Sequence, residues 1–157
     1  MAWVKTRLMG SNISAFREGK LYIAKPEGWD RSGVFEALKR AFTLKYHVFD
    51  PAGSEVMEVH YDFGRDFILV KWGDVDRQIK IPVFELHLQR YYIKEKVGSF
   101  LIWPLEEGGK IRIVAEGTKS LKEFALELRS EDENLDGILM ELAIGYTIRW
   151  MSFNIGL

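Results

Sequence analysis

Through the middle of the chain, apolar and polar residues alternate with the period of two that puts successive side chains on opposite faces of a strand. In EVMEVHYDF (55–63), Met57, Val59, Tyr61 and Phe63 share one face, while Glu58, His60 and Asp62 share the other. The preceding TLKYHVFD (43–50) sets Leu44, Tyr46 and Val48 against Lys45, His47 and Phe49. Between them, Asp50-Pro51-Ala52-Gly53 supplies one fixed φ and one positive φ, the chemistry of a turn. After Gly64-Arg65, DFILVKW (66–72) is almost continuously apolar, which predicts a strand covered on both faces. A polar GDVDRQ turn (73–78) leads to IKIPVFELHLQRYYIK (79–94), where Phe84, Leu86 and Leu88 alternate with Glu85, His87 and Gln89. Pro82 must then sit at a strand end, an edge or a bulge. SFLIWPLEEGGKIRIVAEG (99–117) reads as two strands about a Glu106–Gly109 turn, with Ile111, Ile113 and Ala115 on one side.

The N-terminal part is less regular. Residues 1–19 predict an edge strand or arm followed by a turn at GSN (10–12), and Leu21–Ala24 a short strand ended by Pro26 and Gly28. In VFEALKRAF (34–42), the spacing of Val34, Leu38 and Ala41 with Ser32 upstream predicts a short helix. SLKEFALELRS (120–130) fits two patterns. Phe124, Leu126 and Leu128 alternate as in a strand, while Ser120-x-x-Glu123 is a capping box and Leu121, Phe124, Ala125 and Leu128 share a helical face.

The period of two disappears at DGILMELAIGYTIRWM (136–151). Between Gly137 and Met151 only Glu141, Thr147 and Arg149 are clearly polar, so a helix here is apolar on every side. Such a helix is enclosed by protein or lies in a membrane. Fifteen residues span roughly 22 Å, short of the roughly 30 Å hydrocarbon core, and two charges would be costly there. Enclosure by the surrounding strands is therefore the expectation, with Asn134 or Asp136 as N-cap and Arg149 near the negative end of the dipole.

A chain of 157 residues fits a single domain, 1–157, with a core that needs no disulfide. The absence of cysteine removes thiol nucleophiles, thiolate metal sites and palmitoylation together. MAWVKTRLMGSNISAF lacks a continuous apolar stretch, so no secretory signal and a cytoplasmic location are expected. A net charge of −1 gives no electrostatic reason for general nucleic-acid binding. Two glutamines and three asparagines beside many Lys and Glu form a balance seen in heat-adapted proteins.

The run Lys122-Glu123-Phe124-Ala125-Leu126-Glu127-Leu128, an acidic linker, and then Asp136-Gly137-Ile138-Leu139-Met140-Glu141-Leu142-Ala143-Ile144-Gly145-Tyr146-Thr147-Ile148 resemble the phospholipid scramblase and tubby-like superfamily, including its LURP-one-related branch. The two segments Tyr46–Val56 and Leu101–Ile111, each an apolar strand, a turn with Pro and Gly, and a second strand, also look like the family's repeated units. The resemblance implies a mainly β fold, a β-barrel of about twelve strands around a buried C-terminal helix, and a strand at 123–129. An α+β helix-grip fold, with a curved sheet holding an amphipathic C-terminal helix over an apolar cavity, is the alternative. Lys119, Ser120 and Lys122 stand where the scramblases carry calcium-binding carboxylates, which argues against calcium dependence. The cysteine-rich and proline-rich segments of scramblases are absent, and the phosphoinositide pocket of tubby proteins is not matched residue by residue.

Candidate chemistry is sparse. Glu58, His60 and Asp62, with Asp66 nearby, recur at alternate positions and would bring an imidazole and carboxylates together, but an ordinary half-solvated strand looks the same. Glu85, His87 and Gln89 read likewise. No nucleophile elbow, phosphate-binding loop, dinucleotide fingerprint or zinc-protease motif is present, and neither a catalytic residue, a metal site nor a cofactor is assigned. The basic residues Arg90, Lys94 and Lys96 share strand parity with Tyr92, and Lys39 and Arg40 sit beside Phe35 and Phe42. Together they form the lipid-binding candidates, each basic residue near an anionic surface contributing about 1 kcal/mol. The expected function is a non-catalytic cytosolic module that docks on anionic phospholipid or a protein partner. The alternatives are a carrier of a small apolar ligand in a helix-grip cavity, and an enzyme using Glu58, His60 and Asp62.

Overall fold

The computed structural model describes residues 2–27, 45–106, 108–120, 122 and 124–154. Twelve antiparallel strands form one sheet that curls into a nearly closed barrel. They are β1 (Ala2–Met9), β2 (Asn12–Arg17), β3 (Lys20–Pro26), β4 (Lys45–Phe49), β5 (Glu55–Asp62), β6 (Phe67–Trp72), β7 (Val75–Lys80), β8 (Val83–Leu86), β9 (Gln89–Lys96), β10 (Ser99–Pro104), β11 (Ala115–Ser120) and β12 (Ala125–Ser130). The order around the barrel is β7-β6-β5-β4-β3-β2-β1-β12-β11-β10-β9-β8. The N-terminal strand is thus not an edge or an arm: β1 lies between β2 and β12, with Val4 opposite Leu128. The true edges are β7 and β8, consecutive strands that meet at the cis Ile81-Pro82 corner without a shared ladder.

Inside the barrel lies α2 (Leu139–Asn154), preceded by the short α1 (Glu133–Asp136). Leu139, Leu142, Ala143, Ile144, Tyr146, Thr147 and Ile148 have no exposed surface at all. The helix touches strands on both halves of the sheet: it packs on β1, β2, β5, β6 and β12, and Tyr146 stacks on Phe100 of β10 with ring centroids 4.5 Å apart. This is the enclosed helix that its apolar pattern predicts, and it sets aside the helix-grip fold, which needs an amphipathic helix lying across an open sheet. No helix among the described residues is long and apolar enough to cross a membrane.

Each polar residue of α2 that the pattern singled out is satisfied by a particular strand. Thr147 donates to the Ala143 carbonyl and accepts from the Thr6 hydroxyl of β1 at 2.7 Å. Glu141, 2% exposed, accepts from Trp72 Nε1 and Arg77 Nη1, both at 2.5 Å, which ties the helix to the β6–β7 hairpin. Arg149 reaches Asp66 at 2.8 Å and Glu95 at 2.9 Å. Asp66 lies in the β5–β6 turn and Glu95 on β9, so one guanidinium ties that turn to β9.

Several local expectations are corrected. The N-cap is Asp132, whose Oδ1 accepts from Asn134 N at 2.8 Å, because a four-residue helix precedes the main one; Asn134 and Asp136 lie within that short helix. The polar stretch 73–78 is a turn only at its start, since β7 runs from Val75 through Lys80; the rest of the run 79–94 is broken into β8 and β9 by a turn at His87 and Leu88, both with positive φ, although neither is glycine. Ile111 and Ile113 lie outside β11 and are 63% and 44% exposed, so the second strand of 99–117 begins only at Ala115. The outer side of β6 is only half-buried: the Phe67 ring is covered by the Arg65 and Lys80 cations, 5.2 and 5.3 Å from its centroid, and not by an apolar layer such as Ile68 and Val70 meet inside. Of the ambiguous stretch 120–130, Ser120 ends β11 and 125–130 form β12, so the strand pattern holds from Ala125 onward, while Phe124 lies in a turn with positive φ. The helix predicted over 34–42, with Lys39 and Arg40, lies outside the described residues.

Candidate functional site

Because α2 fills the interior, the outer faces of the strands are where chemistry can meet a partner. On β9, residues of even number point outward, and Arg90, Lys94 and Lys96 are all exposed as their parity predicts. Tyr92 lies between them with its ring 5.0 Å from that of Trp103 on β10. The face is not uniformly basic. Glu85 of β8 sits directly opposite Arg90, and Leu101, the partner of Lys94, pairs on its other side with Glu116.

A purer basic face lies a third of the way around the barrel. β1, β2 and β3 together carry Lys5, Arg7, Arg17, Lys20 and Lys25 and no Asp or Glu, although Glu127 of β12 lies opposite Lys5, where Arg129 holds it at 2.6 Å. Lys5, Arg7 and Lys25 point outward and are exposed. Arg17 instead turns inward at the rim and donates to the Asp136 carbonyl at 2.8 Å. Apolar side chains are interleaved with the outward charges: Trp3 is 40% exposed, Phe16 38% and Leu21 48%. Register explains the mosaic, since Lys5, Phe16 and Leu21 face one another across β1, β2 and β3. The Trp3 and Phe16 rings lie 5.8 Å apart, and the Lys25 ammonium stands 5.2 Å over the Phe49 ring. Reading the strands one at a time hides this face. The signal available in the sequence was that residues 2–17 contain no acid at all.

The carboxylate–histidine positions fall differently from their alternation. Glu58, His60 and Asp62 do share the outer face of β5, but Asp62 is engaged by Arg65 at 2.8 Å and Asp66 by Arg149 and Tyr61. Desolvation raises the Asp66 carboxyl, yet the hydrogen bonds from Arg149 and Tyr61 together hold it below its ordinary range. Burial pushes the Tyr61 and Tyr146 hydroxyls well up, and it raises the Glu141 carboxyl against the pull of Arg77 and Trp72. These groups serve the barrel interior and its rims. His87 leaves its expected row because it sits in the β8–β9 turn.

What Glu58 does meet is His47, directly opposite on β4. His47 Nδ1 lies 2.5 Å from Glu55 Oε1 and 3.7 Å from Glu58 Oε1, while Nε2 lies 3.4 Å from Glu27 Oε1. A register shift places Val48 opposite Met57 but Phe49 opposite Glu55, so β5 holds one extra residue, Val56. Such a bulge reverses the parity of what precedes it and turns Glu55 onto the outer face beside His47.

No protein-family model matches the chain, and no curated protein matches it. An X-ray structure of a protein from Arabidopsis thaliana aligns with 94% of this chain and 91% of that chain, at 12% sequence identity and a TM-score of 0.46.

Proposed function

We propose that this barrel is a non-catalytic cytosolic binding module that docks on an anionic phospholipid surface through the outer face of β1–β3. The observation that carries the reading is the composition of that face: three outward basic side chains, Lys5, Arg7 and Lys25, interleaved with exposed Trp3, Phe16 and Leu21, on three adjacent strands without a carboxylate. Three basic residues at about 1 kcal/mol each amount to roughly a hundredfold in partitioning, before any insertion of the aromatic rings. Such docking is reversible and weakens with salt. The resemblance of 122–148 to the scramblase and tubby-like superfamily favours the same reading, and so does an interior filled by α2, which moves binding to the outside. The β9 face, with Arg90, Lys94 and Lys96, is second because Glu85 and Glu116 stand among its charges, whereas Glu127 beside Lys5 is paired with Arg129.

Co-sedimentation with vesicles of phosphatidylcholine alone or with phosphatidylserine tests this. Binding is expected only with phosphatidylserine, lost on raising salt, lost in Lys5→Glu/Arg7→Glu/Lys25→Glu, and kept in Arg90→Glu/Lys94→Glu/Lys96→Glu. Loss only in the second set would move the site to β9. Binding indifferent to phosphatidylserine would remove the lipid reading and leave a protein partner for this face.

A further inference from the structure

His47, Glu55 and Glu58 pose a problem of charge. A carboxylate only accepts hydrogen bonds, so a ring hydrogen on Nε2 suits the contact of His47 with Glu27 Oε1 at 3.4 Å, and the Nδ1 contacts with Glu55 and Glu58 call in turn for a proton or a metal cation on Nδ1. In a neutral imidazole with its hydrogen on Nε2, Nδ1 is a bare lone pair. Nδ1 is inaccessible to solvent and makes no hydrogen bond of acceptable geometry, yet it faces a Glu55 oxygen at 2.5 Å and a Glu58 oxygen at 3.7 Å. A lone pair directed among carboxylate oxygens is repulsive unless a proton or a metal cation lies between them.

We infer that His47 Nδ1, Glu55 and Glu58 form a binding site for a divalent transition metal, with zinc the best fit. The three donor atoms lie within 4.8 Å of one another. Ligands about 2.1 Å from a tetrahedral zinc stand about 3.4 Å apart, so the Glu58 contact already has the required span. The Glu55 contact must open by about 1 Å, which a side chain that is 46% exposed can do by rotation. One imidazole with two carboxylates suits zinc better than calcium or magnesium, which prefer oxygen alone. Water would complete the shell, since a shallow open hollow lined by Lys45, Glu58, His60 and Lys71 adjoins the site.

Two features look built for this use. Metal-bound histidines characteristically donate their second ring N–H to a carboxylate, which fixes the tautomer and orients the ring, and Glu27 stands in that place. The bulge at Val56 brings Glu55 to the outer face, where an unbulged strand would turn it inward. Lys45 approaches the other Glu58 oxygen at 3.5 Å and leaves Oε1 for the metal. Lys25 and Lys71 lie opposite His47 and Glu58 in register, and their charge tempers the affinity.

The experiment titrates zinc into the isotopically labelled full chain and follows the imidazole nitrogen resonances of its three histidines. One equivalent should shift His47 Nδ1 and leave His87 unmoved. Competition against a chromophoric zinc chelator should show binding lost in His47→Gln and in Glu55→Gln, and about tenfold weaker in Glu27→Gln. No response of His47, or a response centred on His60 or His87, would overturn the assignment. So would an unchanged affinity in the His47→Gln and Glu55→Gln variants. The resonance readout on the unaltered chain stands even where a variant fails to fold.

Discussion

The Phe100 ring occupies the space that a side chain on Gly117 would need. The two residues are directly opposed across β10 and β11, and a Cβ at Gly117 would lie 2.2 Å from ring atoms of Phe100. The same ring stacks on Tyr146 of α2, so glycine, phenylalanine and tyrosine form one column from strand to helix. Gly117→Ala should therefore cost about 1–3 kcal/mol by overpacking. In a Phe100→Leu background the same substitution should cost visibly less, a coupling of at least about 0.5 kcal/mol in a denaturant-melt cycle. Strictly additive losses would show that the ring moves aside freely.

Gly145 plays the matching part on the helix. A Cβ there would stand 2.4 Å from Ile68 Cγ2, and Ile68 is fully buried on β6. Gly145→Leu should destabilise by about 1–3 kcal/mol or more, since a helix ringed by strands cannot retreat. Ile68→Ala should recover part of that loss. An unchanged melting temperature for Gly145→Leu would contradict the enclosure of the helix.

Glu141 is the most deeply buried charge among the described residues, and Arg77 is its counter-ion. Arg77→Met leaves the carboxylate inside without a cation and should cost about 3 kcal/mol or more. Adding Glu141→Gln should restore much of the loss, because the amide oxygen still accepts from Trp72 without a charge to compensate. Thermal melts of the single and double variants measure this.

Asp66 predicts an acid-side dependence. Its native value is depressed below the ordinary 3.8, so between the two values the unfolded chain binds more protons. Stability then rises with pH across that window, and the contribution of the Arg149–Asp66 pair disappears as pH falls through the depressed native value. Asp66→Asn should be less stable than the unaltered chain near neutrality and converge on it in acid. A gap that widened on acidification would reverse the assignment.

The parts of the fold that could be read from the sequence were those where one physical signal acts alone. Met57, Val59 and Tyr61 fall inside as their period of two requires, and the helix without a polar face is enclosed. The failures occur where local chemistry and tertiary context separate. His87 and Leu88 form a turn with positive φ that no glycine announces, so β8 and β9 read as one strand. Ile111 and Ile113 alternate like strand residues yet lie exposed before β11. Glu58 stood out as a candidate, but its partners His47 and Glu55 depend on the register of β4 with β5 and on one extra residue, neither of which a single strand reveals. The basic face was missed for the same reason: Lys5 and Lys25 become neighbours only once β2 lies between them.

Arg149, spanning from Asp66 to Glu95, lies in the last described element of the chain. Every strand is therefore synthesised before the side chain that ties the β5–β6 turn to β9 exists. At about 5–20 residues per second, all of the apolar side chains that line the twelve strands are made before the helix that covers them. The nascent chain needs shielding over that interval. A message cut short before Arg149 would yield material destined for aggregation or proteolysis rather than a smaller barrel.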